Sequence, residues 1–135
     1  MQLSPDGHHV AFLVKIDTPD VQGAAVRFIN LDTDEFETLT YAETKDFVIN
    51  WIRWANNERI LISASESSGQ GSEKYRVPRL YQVGLDGEGM KQIRRKPTAK
   101  ELERMADWQK KLPTNQIISM LPSDPDHILM QLWDE

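Results

Sequence analysis

Cysteine is absent from this chain of 135 residues, which excludes disulfide bonds, thiolate nucleophiles and cysteine-ligated zinc. No apolar run approaches the roughly 18 residues that a transmembrane helix needs. Met1–Leu3 runs straight into a turn, without the basic start and apolar stretch of a signal peptide. A basic excess is also missing, since the net charge is −5. We therefore expect no membrane span and no nucleic-acid partner.

The residues that are present fit one folded domain of ordinary size. Hydrophobic residues make up 39% of the chain and charged residues 27%, as is typical of globular proteins. The clearest organising signal is the stretch Ser4–Phe12, in which Ser-Pro-Asp-Gly predicts a tight turn that feeds an apolar strand. Variants of this stretch recur at Trp54–Ile62 and at Ser123–Met130. Internal repetition of this kind is a signal of architecture.

The spacing of the copies indicates a larger repeated unit. Val10 falls on Ile60 at an offset of 50 residues, and Val26 falls on Leu80 at an offset of 54. A unit of about 50 residues with four strands has the period of a β-propeller blade. The third copy, at Ile128, follows a longer interval of 68 residues.

That longer interval contains a predicted helix. Thr98 and Glu101 have the spacing of a capping box, and apolar residues then recur at helical intervals as far as Leu112. Pro113 is expected to end the helix. We therefore predict one inserted helix near 98–112, between the second and third units.

Alternating and β-branched residues predict the strands, and polar segments with Pro or Gly predict the loops Lys15–Ala24 and Glu66–Lys74. The predicted strands are Val10–Val14, Ala25–Leu31, Phe36–Tyr41, Phe47–Trp54, Ile60–Ser65, Arg79–Leu85, Met90–Arg94, Gln116–Leu121 and Ile128–Trp133.

The predicted fold class is all-β: an incomplete β-propeller of four-stranded antiparallel blades, with about two to three blades present. Residues 1–41 would form a blade that lacks its first strand, and residues 46–95 a full blade. Residues 97–113 would hold the inserted helix, and residues 115–135 the first half of the next blade. A propeller needs at least about four blades to close. We therefore expect open strand edges at Val10–Val14 and Ile128–Trp133, and self-association through them.

Three short stretches have residue types that bind ligands. His8 and His9 offer imidazoles, but neighbouring strand residues point to opposite faces, which favours two turn histidines over a metal site. Asp124-Pro125-Asp126-His127 has ligand types for a metal, yet it lacks the spacing of a calcium loop and reads as a turn. Gly69–Lys74 lacks the third glycine of a phosphate loop and opens no helix, which favours a flexible loop.

Aromatic and hydroxyl side chains are the remaining candidates. Large aromatics along strands are more often packing than ligand platforms, so we expect Trp51 and Trp54 to lie in the core. Trp108 lies on the predicted helix, where core packing and ligand stacking are equally open, and Trp133 belongs to the last predicted strand. The serines Ser63, Ser65, Ser67 and Ser68 have no histidine nearby in sequence and no nucleophile elbow. We assign no catalytic, cofactor-binding or metal-ligating residue.

Three stretches resemble the propellers of the prolyl oligopeptidase family, of the dipeptidyl- and acylaminoacyl-peptidase types. Ser4–Phe12 is similar to the hairpin written SPDG…AF, which the Tol-system periplasmic propeller proteins share. Arg79–Gly87 resembles the strand written RLY-x-V-x-x-DG in the peptidases. Leu121–Leu129 resembles the LPDDPDHVL stretch of the peptidases, and this resemblance is more specific than that of Arg79–Gly87.

The resemblance implies the non-catalytic propeller portion of a serine peptidase that acts on short peptides, in the bacterial periplasm or cytoplasm. Its partner in the parent chain would be a C-terminal α/β-hydrolase domain, and the propeller would gate access to the active site. The glycine-x-serine-x-glycine elbow and its downstream aspartate and histidine are absent from this sequence, so no catalytic residue is transferred. Glu101 and Glu103 match no substrate-binding motif. The alternatives are a Tol-like protein-binding propeller without enzymatic activity and a small self-contained β-sheet domain.

Overall fold

Antiparallel β-strands make up half of the described residues in a computed structural model that describes residues 1–45, 47–68, 70–94 and 96–131. Two sheets have four strands each, and a third has two. In the described residues, no helix is long and apolar enough to span a membrane. The first sheet contains β1 (Gln2–Leu3), β2 (His9–Asp17), β3 (Gln22–Asn30) and β4 (Glu35–Glu43). The second contains β5 (Phe47–Trp54), β6 (Arg59–Ser68), β7 (Tyr75–Gly84) and β8 (Lys91–Gln92), and the third β9 (Ile117–Ser119) and β10 (Leu129–Met130).

Each four-stranded sheet is a meander in which every strand pairs with the next one along the chain. His9 pairs with Asn30 at the start of the β2–β3 ladder, and Arg59 pairs with Gly84 at the same place in the β6–β7 ladder. These pairs keep the offsets of 50 and 54 residues read from the sequence. The predicted repetition therefore corresponds to two sheets of the same topology, in which the β2–β3 and β6–β7 ladders have the same register. The strands that follow the three repeated turns lie in three separate sheets.

The core lies between the first two sheets. From the first sheet come Ala11, Val26, Phe28 and Leu39, and from the second come Ile52, Trp54, Ile60, Ile62, Ala64, Tyr81 and Val83. The other face of the second sheet also buries Leu61 and Leu80. Ser63 lies on this same face, and its hydroxyl accepts a hydrogen bond from the Asn115 amide, at 2.8 Å. Thr114, the residue before Asn115, extends the edge of β7 through a backbone bridge with Arg79. The second sheet is therefore covered on both faces, which explains why its strands read as nearly continuous apolar runs.

Two predicted boundaries are wrong because pairing overrides local composition. The predicted loop Lys15–Ala24 is mostly strand, since Asp17 pairs with Gln22 and a tight turn held by Thr18 closes the hairpin. The first unit does not lack its first strand, because Gln2–Leu3 pairs with β2 across the Ser4 turn. The end of the predicted strand Ile128–Trp133 lies outside the described residues.

The prediction of a single inserted helix near 98–112 is also wrong. The structure has two short helices, α1 (Ala99–Arg104) and α2 (Asp107–Lys110). The capping box of Thr98 and Glu101 is confirmed at the start of α1. The helix stops because Met105 and Ala106 adopt extended backbone angles, and the Gln109 side chain accepts a hydrogen bond from the Ala106 N–H at 2.8 Å.

Candidate functional site: the turn side of the sheets

The three repeated turns lie side by side, and hydrogen bonds connect each one to the next. The backbone N–H of Asp6, in the first turn, donates to Oδ1 of Asn57 in the second turn, at 2.9 Å. The Asn56 amide of the second turn donates to the Pro125 carbonyl of the third, at 2.8 Å. We call this surface the turn side, formed by residues 4–8, 55–58 and 123–127. It brings together the segments in which sequence analysis found its histidines and aspartates.

The first turn is held by a small network around Ser4, which is 3% exposed. Its hydroxyl donates to Oδ1 of Asp6 at 2.6 Å and accepts the backbone N–H of His9 at 3.0 Å. Asp6 also accepts the His8 N–H, and the hydrogen bonds from Ser4 and His8 lower the pKa of its carboxyl group. Gly7 has φ of 78°, where a side chain would be strained. These residues form a rigid Asx-type turn and leave the Asp6 carboxylate engaged.

The two adjacent histidines have different surroundings. His8 Nδ1 lies 2.8 Å from Oδ2 of Asp32 on the surface. The His9 ring packs between Phe28 and Trp54, with ring centroids 5.5 and 6.2 Å away. The structure therefore places the imidazoles in two environments and does not bring them together. In the described residues, no group of three or more His, Asp or Glu side chains could hold a metal ion.

The third turn is closed by an ion pair between Asp124 and His127. Both carboxylate oxygens lie 2.9 Å from His127 Nδ1. This hydrogen bond raises the pKa of His127 and lowers the pKa of Asp124. Both side chains are well exposed, so solvent screens the pair and its role is to shape the turn.

A cleft of about 500 Å³ opens between the second and third turns. Its apolar residues include Leu61, Ile93 and Ile128, and its polar rim carries both charges. Arg59 donates to Gln82 Oε1 at 3.2 Å, and Lys91 pairs with Glu88 at 3.2 Å. A cleft lined by both apolar and charged side chains can bind a small ligand or a peptide segment. Sequence analysis missed it, because its walls come from strands and turns far apart in the chain.

The serines do not form a catalytic arrangement. Ser63 is fully buried, and its hydroxyl accepts hydrogen bonds from the amides of Asn50 and Asn115, at 3.3 and 2.8 Å. Ser65 accepts from Asn50 at 2.9 Å, and Ser67 is exposed. In the described part of the chain, no histidine ring hydrogen-bonds to a serine hydroxyl. The Ser68 side chain lies outside the described residues.

The tryptophans occupy three different environments. Trp54 is 8% exposed, and its indole N–H donates to the Gln2 carbonyl at 3.0 Å, joining the two large sheets. Trp51 is half-buried, with the Arg53 guanidinium 4.8 Å from its ring centre. Trp108, on α2, is 60% exposed. Trp133 lies outside the described residues. In the predicted loop Gly69–Lys74, Gly69 also lies outside the described residues, and Gly71–Glu73 forms a single 3₁₀ turn.

One charged cluster was missed entirely. The Glu66 side chain points toward the core side of β6. It forms an ion pair with Arg79, whose Nε lies 3.8 Å from Glu66 Oε1, and both side chains are 12% exposed. Lys96 approaches the same carboxylate at 3.3 Å, and the Tyr81 hydroxyl donates to it at 3.3 Å. Burial and the Glu66 charge raise the pKa of Tyr81. The sequence signal that could have revealed this cluster is the period-2 pattern of β6, which puts Glu66 on the same face as Ile62 and Ala64.

Comparison with known proteins found no matching family model, no matching curated protein and no matching solved structure. The architecture therefore defines the class: a mostly-β protein of antiparallel sheets with few helical residues.

Proposed function

We propose that the two four-stranded sheets are neighbouring blades of a β-propeller and that β9 and β10 begin a third blade. The observation that carries the proposal is the equivalence of two stacked meanders in topology, and of their β2–β3 and β6–β7 ladders in register, at the predicted offsets. The hydrogen bonds between successive turns support it, since stacked blades bring equivalent turns to one side.

The proposed role of these blades is to form the non-catalytic propeller of a serine peptidase of the prolyl oligopeptidase type. The three sequence resemblances support this role, because all of them lie in strands and turns of the stacked sheets. Catalysis would belong to a hydrolase domain encoded further along the parent gene. The propeller would gate the entry of short peptides to that domain.

An active-site-directed fluorophosphonate probe tests this role. The protein encoded by the whole open reading frame is expected to be labelled at one serine beyond residue 135, within a glycine-x-serine-x-glycine elbow. The 135-residue chain alone should neither take the label nor hydrolyse chromogenic aminoacyl or dipeptidyl substrates. A Ser63→Ala variant of the full protein is the matched control and should keep its label. Labelling or turnover by the short chain would overturn the proposal.

A second candidate is a protein-binding propeller without an enzyme, of the Tol-like kind. The cleft between the second and third turns favours it, since a lining of charged and apolar side chains suits a peptide segment. The same reading frame discriminates the two candidates. A stop codon after a few more blades supports the binding propeller, and an encoded hydrolase domain supports the peptidase.

A further inference from the structure

The cleft between the second and third turns is lined by an arginine that lacks an anionic partner. Arg59 begins β6 and is exposed. In the described part of the chain, its guanidinium makes one hydrogen bond, to Gln82 Oε1 at 3.2 Å, and no ion pair. A guanidinium carries its N–H donors in a planar fork that matches the two oxygens of a carboxylate. Most of this fork therefore remains available to a ligand.

The other cations of the cleft already have carboxylate partners. Lys91 pairs with Glu88 at 3.2 Å, and His127 is held in the ion pair that closes the third turn. Asp126 also lines the cleft and forms no ion pair within the residues that the structure describes. Its negative charge opposes an anionic ligand, so replacing it tests the sign of the ligand's charge. Among these residues, Arg59 is the lining cation that an anionic group would satisfy.

Apolar side chains lie beside Arg59 in the same cleft. Residues two apart on a strand point to one face, so Leu61 lies on the face of Arg59 with its Cα atom roughly 7 Å away. Leu61 is buried, while Ile93 and Ile128 remain half-buried. The C-terminal residue of a peptide joins a carboxylate and a side chain to the same carbon atom. Such a residue can therefore contact the guanidinium and the apolar side chains together, whereas an acidic side chain supplies the carboxylate alone.

We infer that this cleft binds the C-terminal carboxylate of a peptide whose last residue is apolar. The Arg59 fork receives the carboxylate, and the side chain of the last residue packs against Leu61, Ile93 and Ile128. The cleft volume of about 500 Å³ suits the end of a peptide. This assignment deepens the second candidate function and rests on the cleft that supports that candidate. It does not depend on the peptidase role.

The exposure of Arg59 determines the strength of binding. Solvent screens the charge of an exposed side chain, so we expect a dissociation constant of about 0.1–10 mM. One charge-assisted contact at such a site should change the dissociation constant about tenfold. Added salt should weaken binding, because the carboxylate carries much of the recognition.

An NMR titration of the ¹⁵N-labelled 135-residue chain with N-acetyl-alanyl-leucine tests the inference. Saturable shifts are expected at the backbone amides of Arg59 and Leu61 and at residues 126–128, which line the opposite wall of the cleft. The same peptide with an amidated C-terminus should bind about tenfold more weakly. N-acetyl-alanyl-glutamate with an amidated C-terminus carries its carboxylate on a side chain and should also bind about tenfold more weakly.

Four variants locate the contact. Arg59→Gln should raise the dissociation constant of the free acid about tenfold and remove its advantage over the amide. Arg59→Lys keeps the charge without the planar fork and should bind with intermediate strength. Asp126→Asn should tighten binding by about twofold, because it removes the opposing charge. Arg104→Gln is the matched control, since it removes an exposed arginine of α1 that does not line the cleft, and it should bind like wild type.

Several results would overturn the inference. They are the absence of saturable shifts, equal binding of the free acid and the amide, and wild-type binding by Arg59→Gln with its amide spectrum otherwise unchanged. Equal binding of the glutamate peptide would assign the cleft to an internal acidic side chain, and weaker binding by Asp126→Asn would assign it to a cation. The reading frame tests the second candidate separately, so a failure of that candidate and a failure of this inference give different results.

Discussion

Trp54 is the side chain whose replacement best tests the stacking of the two large sheets. It lies on β5 in the inter-sheet core, and its indole N–H donates to the Gln2 carbonyl of β1 at 3.0 Å. Replacement by phenylalanine keeps an aromatic ring but removes this hydrogen bond and part of the packed volume. The change therefore acts on the contact between the sheets and not on the pairing within either one.

The expected cost follows from two contributions. A hydrogen bond of this kind contributes about 1 kcal/mol to the free energy of unfolding. The lost ring atoms leave a void of about 40 Å³, which costs roughly 1 kcal/mol in cavity energy and a similar amount in lost apolar transfer. Trp54→Phe should therefore lower the free energy of unfolding by about 2–3 kcal/mol. This is a large fraction of the roughly 5–15 kcal/mol by which domains are stable.

Urea unfolding followed by far-ultraviolet circular dichroism measures this change, since tryptophan fluorescence would itself change with the substitution. Trp108→Phe makes the same chemical change at a site that is 60% exposed and should stay within about 0.5 kcal/mol of wild type. The slope of unfolding free energy against urea should not change in either variant. A Trp54→Phe effect as small as that of Trp108→Phe would refute the reasoning.

Three further predictions concern a turn, a ladder and a buried hydroxyl. The ion pair of Asp124 and His127 should stabilise the third turn above the pKa of Asp124 and below that of His127, and be lost outside this window. In an NMR titration, Asp124→Asn should lower the His127 pKa, and an unchanged value would contradict the assigned cause. Gly23→Ala should lower the free energy of unfolding in urea by about 1–3 kcal/mol, because the added Cβ would collide with the Ala42 carbonyl oxygen on β4. An unchanged free energy of unfolding would show that the β3–β4 ladder shifts to make room for the methyl group. Ser63→Ala should cost about 1–3 kcal/mol in the same assay, since the Asn115 amide loses its acceptor and the Asn50 amide keeps only Ser65, and a stable variant would count against that role.

Most strands were predictable because their signals are local. Phe47–Trp54 is predicted and observed with the same bounds, and its β-branched and aromatic residues suit a pleated surface. The errors lie where polar residues form strands only because a partner pairs with them. Lys15–Ala24 has the composition of a loop, yet the β2–β3 ladder extends through most of it.

The candidate site was predictable only in part. The turns themselves follow from residues such as Gly7 and Asn56, whose conformational preferences are local. Their juxtaposition does not, because the contact between Asn56 and Pro125 spans 69 residues. The cleft and the Glu66 cluster were missed for the same reason: both are assembled by distant strands.

The sequence by itself determined the repeat, the meander of strands and the turn residues, because turn geometry and period-2 patterning depend on neighbouring residues. Only the tertiary structure decided which face of each sheet is covered. Val10 and Ile60 occupy equivalent positions in their sheets, yet Ile60 is fully buried and Val10 is not, since burial depends on what another sheet brings to that face.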